Sequence, residues 1–154
     1  MNKGEIARQY FLNGYNCAQA VALAFCDELA LPPETALRLV SGFGGGMGRL
    51  REVCGAFSGA VFVLSVLRGY AEPGAKEEKA ALYRDVQALA ARCASENGSI
   101  VCRDLLGLRR QKDSPAPAPR TEEYYKSRPC PKVIENTAAI LEAFLEETSR
   151  SDNL

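Results

Sequence analysis

Residues 41–60, SGFGGGMGRLREVCGAFSGA, decide how the rest of the chain reads. Five glycines fall within seven positions (Gly42, Gly44, Gly45, Gly46 and Gly48). Ordering so many costs conformational entropy unless the backbone must turn tightly or come close to something. Cys54 follows, at the mouth of an apolar segment that begins with the small residues Gly55, Ala56, Ser58, Gly59 and Ala60. The apolar run 53–67 is broken by glycine and serine, and it is shorter than the ~20 residues that cross a bilayer. It therefore reads as a helix over about 54–67, apolar nearly all round and surrounded by neighbours in a protein core. Gly55, Ser58 and Gly59 leave room for those neighbours to approach.

Around this helix the periodicity is helical, without two-residue alternation. Residues 3–12 form an amphipathic helix ended by Asn13-Gly14. Asn16 is a good cap for a second helix over 17–30, with Ala18, Ala22, Phe25 and Leu29 as its inner stripe. Pro33 and Glu34 open a third over 33–40. Helices are also expected over about 75–95, over 100–106 after the cap Ser99, and over about 131–147. Residues 114–119, SPAPAP, form a stiff, extended surface connector. The expected architecture is all-α: a bundle of about five to seven helices around the central helix. One domain covers residues 1–148, with a frayed tail at 149–154.

Lysine plus arginine equal aspartate plus glutamate at 19 each, so no net charge draws the chain to nucleic acid or an anionic membrane. Residues 1–10, MNKGEIARQY, lack the layout of a signal peptide, and the protein is expected to be soluble, cytoplasmic and not inserted in a membrane. Histidine is absent, which removes the usual base of Ser–His and Cys–His hydrolases and every His-containing metal site. Glu28, Glu52, Asp104 and Glu135 form no acid–base constellation, and catalytic residues stay unassigned. The glycine loop is no phosphate cradle: no G-x-G-x-x-G register fits it, no Walker Lys-Ser/Thr follows and no strand precedes it.

Six cysteines then carry the chemistry, and they divide into two kinds. Cys26 and Cys93 fall within helices, on or beside apolar stripes, as small core residues. Cys17, Cys54, Cys102 and Cys130 all fall at or near helix starts, where unpaired N–H groups and the dipole favour a thiolate, the nucleophilic and metal-binding form. Arg49, Arg51, Arg103, Arg128 and Lys132 lie near them in sequence and can offset negative charge, although each taken singly reads as a solvated surface residue. No C-x-x-C occurs, so a four-cysteine site has to be built by tertiary structure.

Asn16-Cys17-Ala18-Gln19-Ala20-Val21, residues 42–48, Cys54-Gly55-Ala56 with Gly59, Ser99-Ile100-Val101-Cys102-Arg103-Asp104-Leu105-Leu106-Gly107 and Cys130-Pro131-Lys132 together resemble the C_GCAxxG_C_C family of putative redox-active proteins. The resemblance extends over about 13–145. It implies a signature set of Cys17, Cys54, Cys102 and Cys130, and redox chemistry without a named reaction. A similar module occurs fused to haem domains in some electron-transfer proteins, but this chain has no Cys-x-x-Cys-His attachment motif.

The leading expectation is an iron–sulfur cluster, [2Fe–2S] or [4Fe–4S], held by those four cysteines for electron transfer or sensing. Gly44, Gly45, Gly46 and Gly55 would bring backbone close to it. The alternatives are a thiol–disulfide protein using the same cysteines, a structural zinc scaffold with all four as ligands, and a helical domain whose cysteines merely pack. The expected partner is a redox protein of unassigned identity, and a homodimer is compatible with the sequence.

Overall fold

The computed structural model describes residues 1–108 and 112–152, with side chains up to residue 149. It is all-α. Besides helices, the described residues hold one isolated antiparallel bridge, Val53 with Val101. The helices are α1 (Lys3–Leu12), α2 (Cys17–Ala24), α3 (Cys26–Leu29), α4 (Pro33–Val40), α5 (Gly44–Met47), α6 (Gly55–Arg68), α7 (Lys76–Asn97), α8 (Cys102–Leu106), α9 (Glu122–Ser127) and α10 (Cys130–Asp152). A 3-10 turn, Ser41–Phe43, leads into α5.

Local signals explain several boundaries. Asn2 caps α1, accepting from the Glu5 N–H at 2.8 Å, and Asn16 caps α2 the same way, accepting from the Gln19 N–H at 2.9 Å. In each case the third helical side chain returns the bond, which satisfies two otherwise orphaned backbone donors. The helix expected over 17–30 is in fact two, α2 and α3, broken at Phe25. Lys3 of α1 meets this break: its ammonium donates to the Ala24 carbonyl at 2.9 Å and pairs with Glu28 at 2.6 Å. An external donor thus satisfies a carbonyl left over at the end of α2.

The core lies where the longer helices meet. α6 packs on α2 and α7, and α10 packs on α1, α7, α6 and α2. Val21, Phe25, Val63, Leu64, Leu89, Ile134 and Leu141 are all fully buried in it. α6 is enclosed only over its first turns: Ser65, Val66 and Leu67 are exposed, so this helix is not surrounded along its whole length. On the far side of α2, Ala18 and Ala22 meet Val40 of α4. The alanines let α2 be covered on both faces. α9 lies between the 114–119 connector and Cys130, with Thr121 as its cap. α10 runs on through Asp152, beyond the end expected near 147, and residues 153–154 of the expected tail lie outside the described residues. No described helix is long and apolar enough to cross a membrane.

Candidate functional site

Each of the four cysteines stands where a helix begins. Cys17, Cys102 and Cys130 are the first residues of α2, α8 and α10, and Cys54 caps α6. All four line one cavity of about 400 Å³ at which these helix starts meet. Cys54 and Cys102 are buried, and Cys17 and Cys130 are half-buried. Cys26 and Cys93 lie outside the cavity. Cys93 is buried on α7; Cys26, expected within a helix, instead opens α3 and lies half-buried 3.7 Å from the Leu31 carbonyl oxygen.

Small residues bring the thiols together. A methyl group on Gly55 would run into Cys17 Sγ, so the position after Cys54 has to lack a side chain for Cys17 to lie against it. One turn later, a methyl on Gly59 would meet the Ala18 carbonyl oxygen at 2.7 Å and Ala18 Cα at 3.1 Å, where α2 and α6 cross backbone to backbone. Cys54-Gly55-x-x-x-Gly59 is therefore one device: a thiol, a gap for the second thiol, and a gap for the helix that carries it. Cys102 arrives by backbone pairing. The Cys54 N–H donates to the Ile100 carbonyl at 2.7 Å, and the Cys102 N–H to the Glu52 carbonyl at 2.6 Å. This pairing also delays α8, which begins at Cys102 rather than at the expected residue 100. Ser99 does not cap it; its Oγ accepts from the Val101 N–H at 2.9 Å.

The glycine loop coils left-handed beside the thiols. Gly45 and Gly46 have φ of 68° and 70°, and Met47, Arg49 and Arg51 follow with 73°, 66° and 60°. For the three residues with side chains this conformation costs about 1–2 kcal/mol each. Residues in such strained backbone concentrate at functional sites. Gly44, Gly45 and Gly55 line the cavity. Gly46 does not, but a methyl there would lie 2.5 Å from Cys102 Cβ, so its bareness seats the third cysteine.

Arg51, expected at the surface, is 2 % exposed. Its Nε donates to Asp113 Oδ2 at 2.8 Å and its Nη1 lies 3.6 Å from Cys102 Sγ. Its Nη2 is buried without a hydrogen-bond partner among the described residues. A buried donor left unpaired costs about 1–3 kcal/mol, and more on a charged group. Asp113 belongs to a strap, residues 112–120, whose Pro115, Pro117, Ala118 and Arg120 also line the cavity. The SPAPAP connector is not helical, bends at Pro115 and Ala116, and lies along the cavity that the thiols line. Arg49 holds one end through the Ser114 carbonyl at 2.7 Å. Arg120 holds the other, donating to the Phe11 and Tyr15 carbonyls at 2.9 and 3.0 Å while stacking 4.2 Å from the Phe11 ring. Neither the strap's place nor the burial of Arg51 is readable from local pattern. The sequence hints at them only through a run of three alternating prolines between two arginines.

Burial dominates the thiol chemistry. It pushes the Cys17 thiol up, against the Gly45 N–H, which favours the thiolate, and the charge of Cys102 adds to the rise. It pushes Cys54 far up, helped by Cys17 and opposed by the N–H groups of Phe57 and Ala56. Cys130 is pushed up to about 11 by burial and then by Cys17, with Arg128 pulling the other way. The expectation that helix starts make these thiols acidic is therefore corrected for these three. A dipole contribution of about 0.3–1 kcal/mol is outweighed by desolvation and mutual repulsion. Among the described residues no three His, Cys, Asp or Glu side chains close around a single point as ligands of one ion.

Neither the curated proteins nor the solved structures offer a match to this chain. The family model described as "Putative redox-active protein (C_GCAxxG_C_C)" matches residues 15–144. That span holds all four cavity cysteines, both gap glycines and the strap. The chain belongs to the C_GCAxxG_C_C family of putative redox-active proteins.

Proposed function

We propose that this redox-active family member holds an iron–sulfur cluster on Cys17, Cys54, Cys102 and Cys130, and uses it to pass or sense single electrons. The observation that carries this reading is the meeting of four thiols from four helix starts at one cavity that also contains a buried, incompletely paired guanidinium. Buried thiols that resist ionisation are poor nucleophiles but sound ligands, because coordination itself removes the proton. This weighs against a thiol–disulfide protein. An all-sulfur donor set suits iron–sulfur clusters and zinc alike. Structural zinc needs its sulfurs around one point at about 2.3 Å. A cluster spreads its ligands over two or four irons, which agrees better with thiols arranged around a cavity wall.

When bound, the cluster supplies one-electron chemistry. The chain's own part is to supply the sulfurs, to present the Gly45 N–H toward Cys17, to set a guanidinium beside Cys102 and to cover the site with the strap. The reading goes with a reducing, cytoplasmic setting in which the thiols stay free, and with a redox protein as partner. Its test is anaerobic purification or reconstitution, followed by visible absorption and assay of iron and acid-labile sulfide. About two or four irons per chain with equal sulfide are expected. A colourless protein that takes up neither overturns the reading, and zinc uptake with no redox response replaces it by the scaffold alternative.

A further inference from the structure

Arg51 is buried at a site where a buried cation needs a reason. Its backbone is left-handed, its guanidinium is 2 % exposed, and one of its nitrogens has no partner among the described residues. An ordinary structural ion pair would need none of this: Asp113 is bonded at Nε, and its Oδ2 also lies 4.0 Å from Arg49 Nη2. What the strained backbone achieves is the placement of a guanidinium between two partners of different kinds. One is a fixed carboxylate on the strap, at 2.8 Å, and the other is the sulfur of Cys102, at 3.6 Å. The Arg51 backbone carbonyl is tied down as well, accepting from the Arg103 N–H at 3.2 Å and from its Nη1 at 3.2 Å. The residue is thus held at backbone and head group, and the fork geometry of arginine lets it serve both partners at once.

We propose that Arg51 and Asp113 form a charge couple that sets the reduction potential of the four-cysteine site, Arg51 favouring the added electron and Asp113 opposing it. The proposal rests on the iron–sulfur reading. Reduction adds one negative charge at the site, taken from an external one-electron donor, with no bond made or broken. A cation beside one ligand sulfur and shielded from water stabilises that added charge. A carboxylate bonded to the same cation offsets part of the effect. Both residues are positioning residues, acting on the electron through field and hydrogen bond.

The two partners therefore make opposite predictions. In anaerobically reconstituted full-length protein, titrated with redox mediators and followed by visible absorption, Arg51→Gln lowers the midpoint potential and Asp113→Asn raises it. Each changes the ratio of reduced to oxidised site at a fixed potential by at least about tenfold, which is ~59 mV for a one-electron couple. Arg51→Lys keeps the charge but not the fork and lies between wild type and Arg51→Gln. The double variant returns toward wild type. Should Arg51→Gln fail to fold or load, Arg51→Lys and Asp113→Asn still decide the sign. Wild type loading iron and sulfide while the variants share one potential, or shift in the same direction, overturns the couple and leaves the iron–sulfur reading standing. Wild type taking up neither iron nor sulfide overturns both.

Discussion

Replacing Gly55 by alanine tests the central geometric claim, that the position after Cys54 is bare so that Cys17 can reach it. The added methyl meets Cys17 Sγ and lies 2.9 Å from the Phe43 carbonyl oxygen. The carbonyl is backbone and cannot yield without moving the turn before α5, and the sulfur can clear the methyl only by turning to another rotamer away from its present place. Overpacking of this kind costs about 1–3 kcal/mol, and the better helix propensity of alanine returns up to about 1 kcal/mol. The two ranges leave a net loss of about 0–3 kcal/mol centred near 1.5 kcal/mol, or about 3–6 °C in melting temperature at that centre for a chain of this size. Gly74→Ala is the matched control, since a methyl there meets nothing within 4 Å, and its melt is expected to stay within a degree or two. The assay is thermal unfolding of both variants together with, on the proposed iron–sulfur reading, iron retained per chain after reconstitution, which should fall in Gly55→Ala alone. Removing the opposing sulfur by Cys17→Ala in the Gly55→Ala background should recover part of the stability, because the two changes share one contact and are not additive. If Gly55→Ala melts like wild type and keeps its iron, the glycine is not there to admit the thiol and the account of the motif is wrong.

Two further outcomes follow from the burial of the thiols and from the strap. Cys17, Cys54, Cys93 and Cys130 all hold their protons above the ordinary thiol value of 9.0, Cys93 and Cys130 up to about 11. The unfolded chain therefore sheds these protons first, so the metal-free protein loses stability as pH rises from about 9 to about 11; urea midpoints that stay level across that window would contradict the burial assigned to these groups. Arg120→Met removes the donor that ties the strap to the Phe11 and Tyr15 carbonyls, and it should speed the loss of bound metal to a chelator severalfold while leaving the helix content unchanged; an unaltered rate would mean that the strap does not guard the site.

The parts of the fold legible in the sequence are those decided within a few residues. Asn16 caps α2, Pro33 opens α4 and Gly107, left-handed at φ 69°, ends α8, all from local signals. The boundaries that differ from expectation involve distant residues. Lys3 holds the Ala24 carbonyl at the break in the second helix, and the backbone partners of Ile100 and Cys102 lie in the segment before α6. The short α9, with only Thr121 to announce it, carries no apolar period to detect.

The site divides along the same line. Cys17, Cys54, Cys102 and Cys130 are recognisable at helix starts because capping is local, although Cys26 opens α3 as well, and the four residues line one cavity. Their acidity is not legible in the same way, because burial is a property of the assembled cavity and outweighs the helix end. Arg51 shows the limit most clearly. Its partner Asp113 lies 62 positions away, and its burial follows from a left-handed turn that Gly45, Gly46 and Gly48 ease but do not complete. Met47, Arg49 and Arg51 carry the remaining strain, about 3–6 kcal/mol together. A loop whose only task was to reverse the chain would have placed glycine at those positions too. Two of the three side chains are used from there: Arg49 holds the strap through the Ser114 carbonyl, and Arg51 reaches Asp113 and Cys102, contacts that only the assembled loop and strap bring into view.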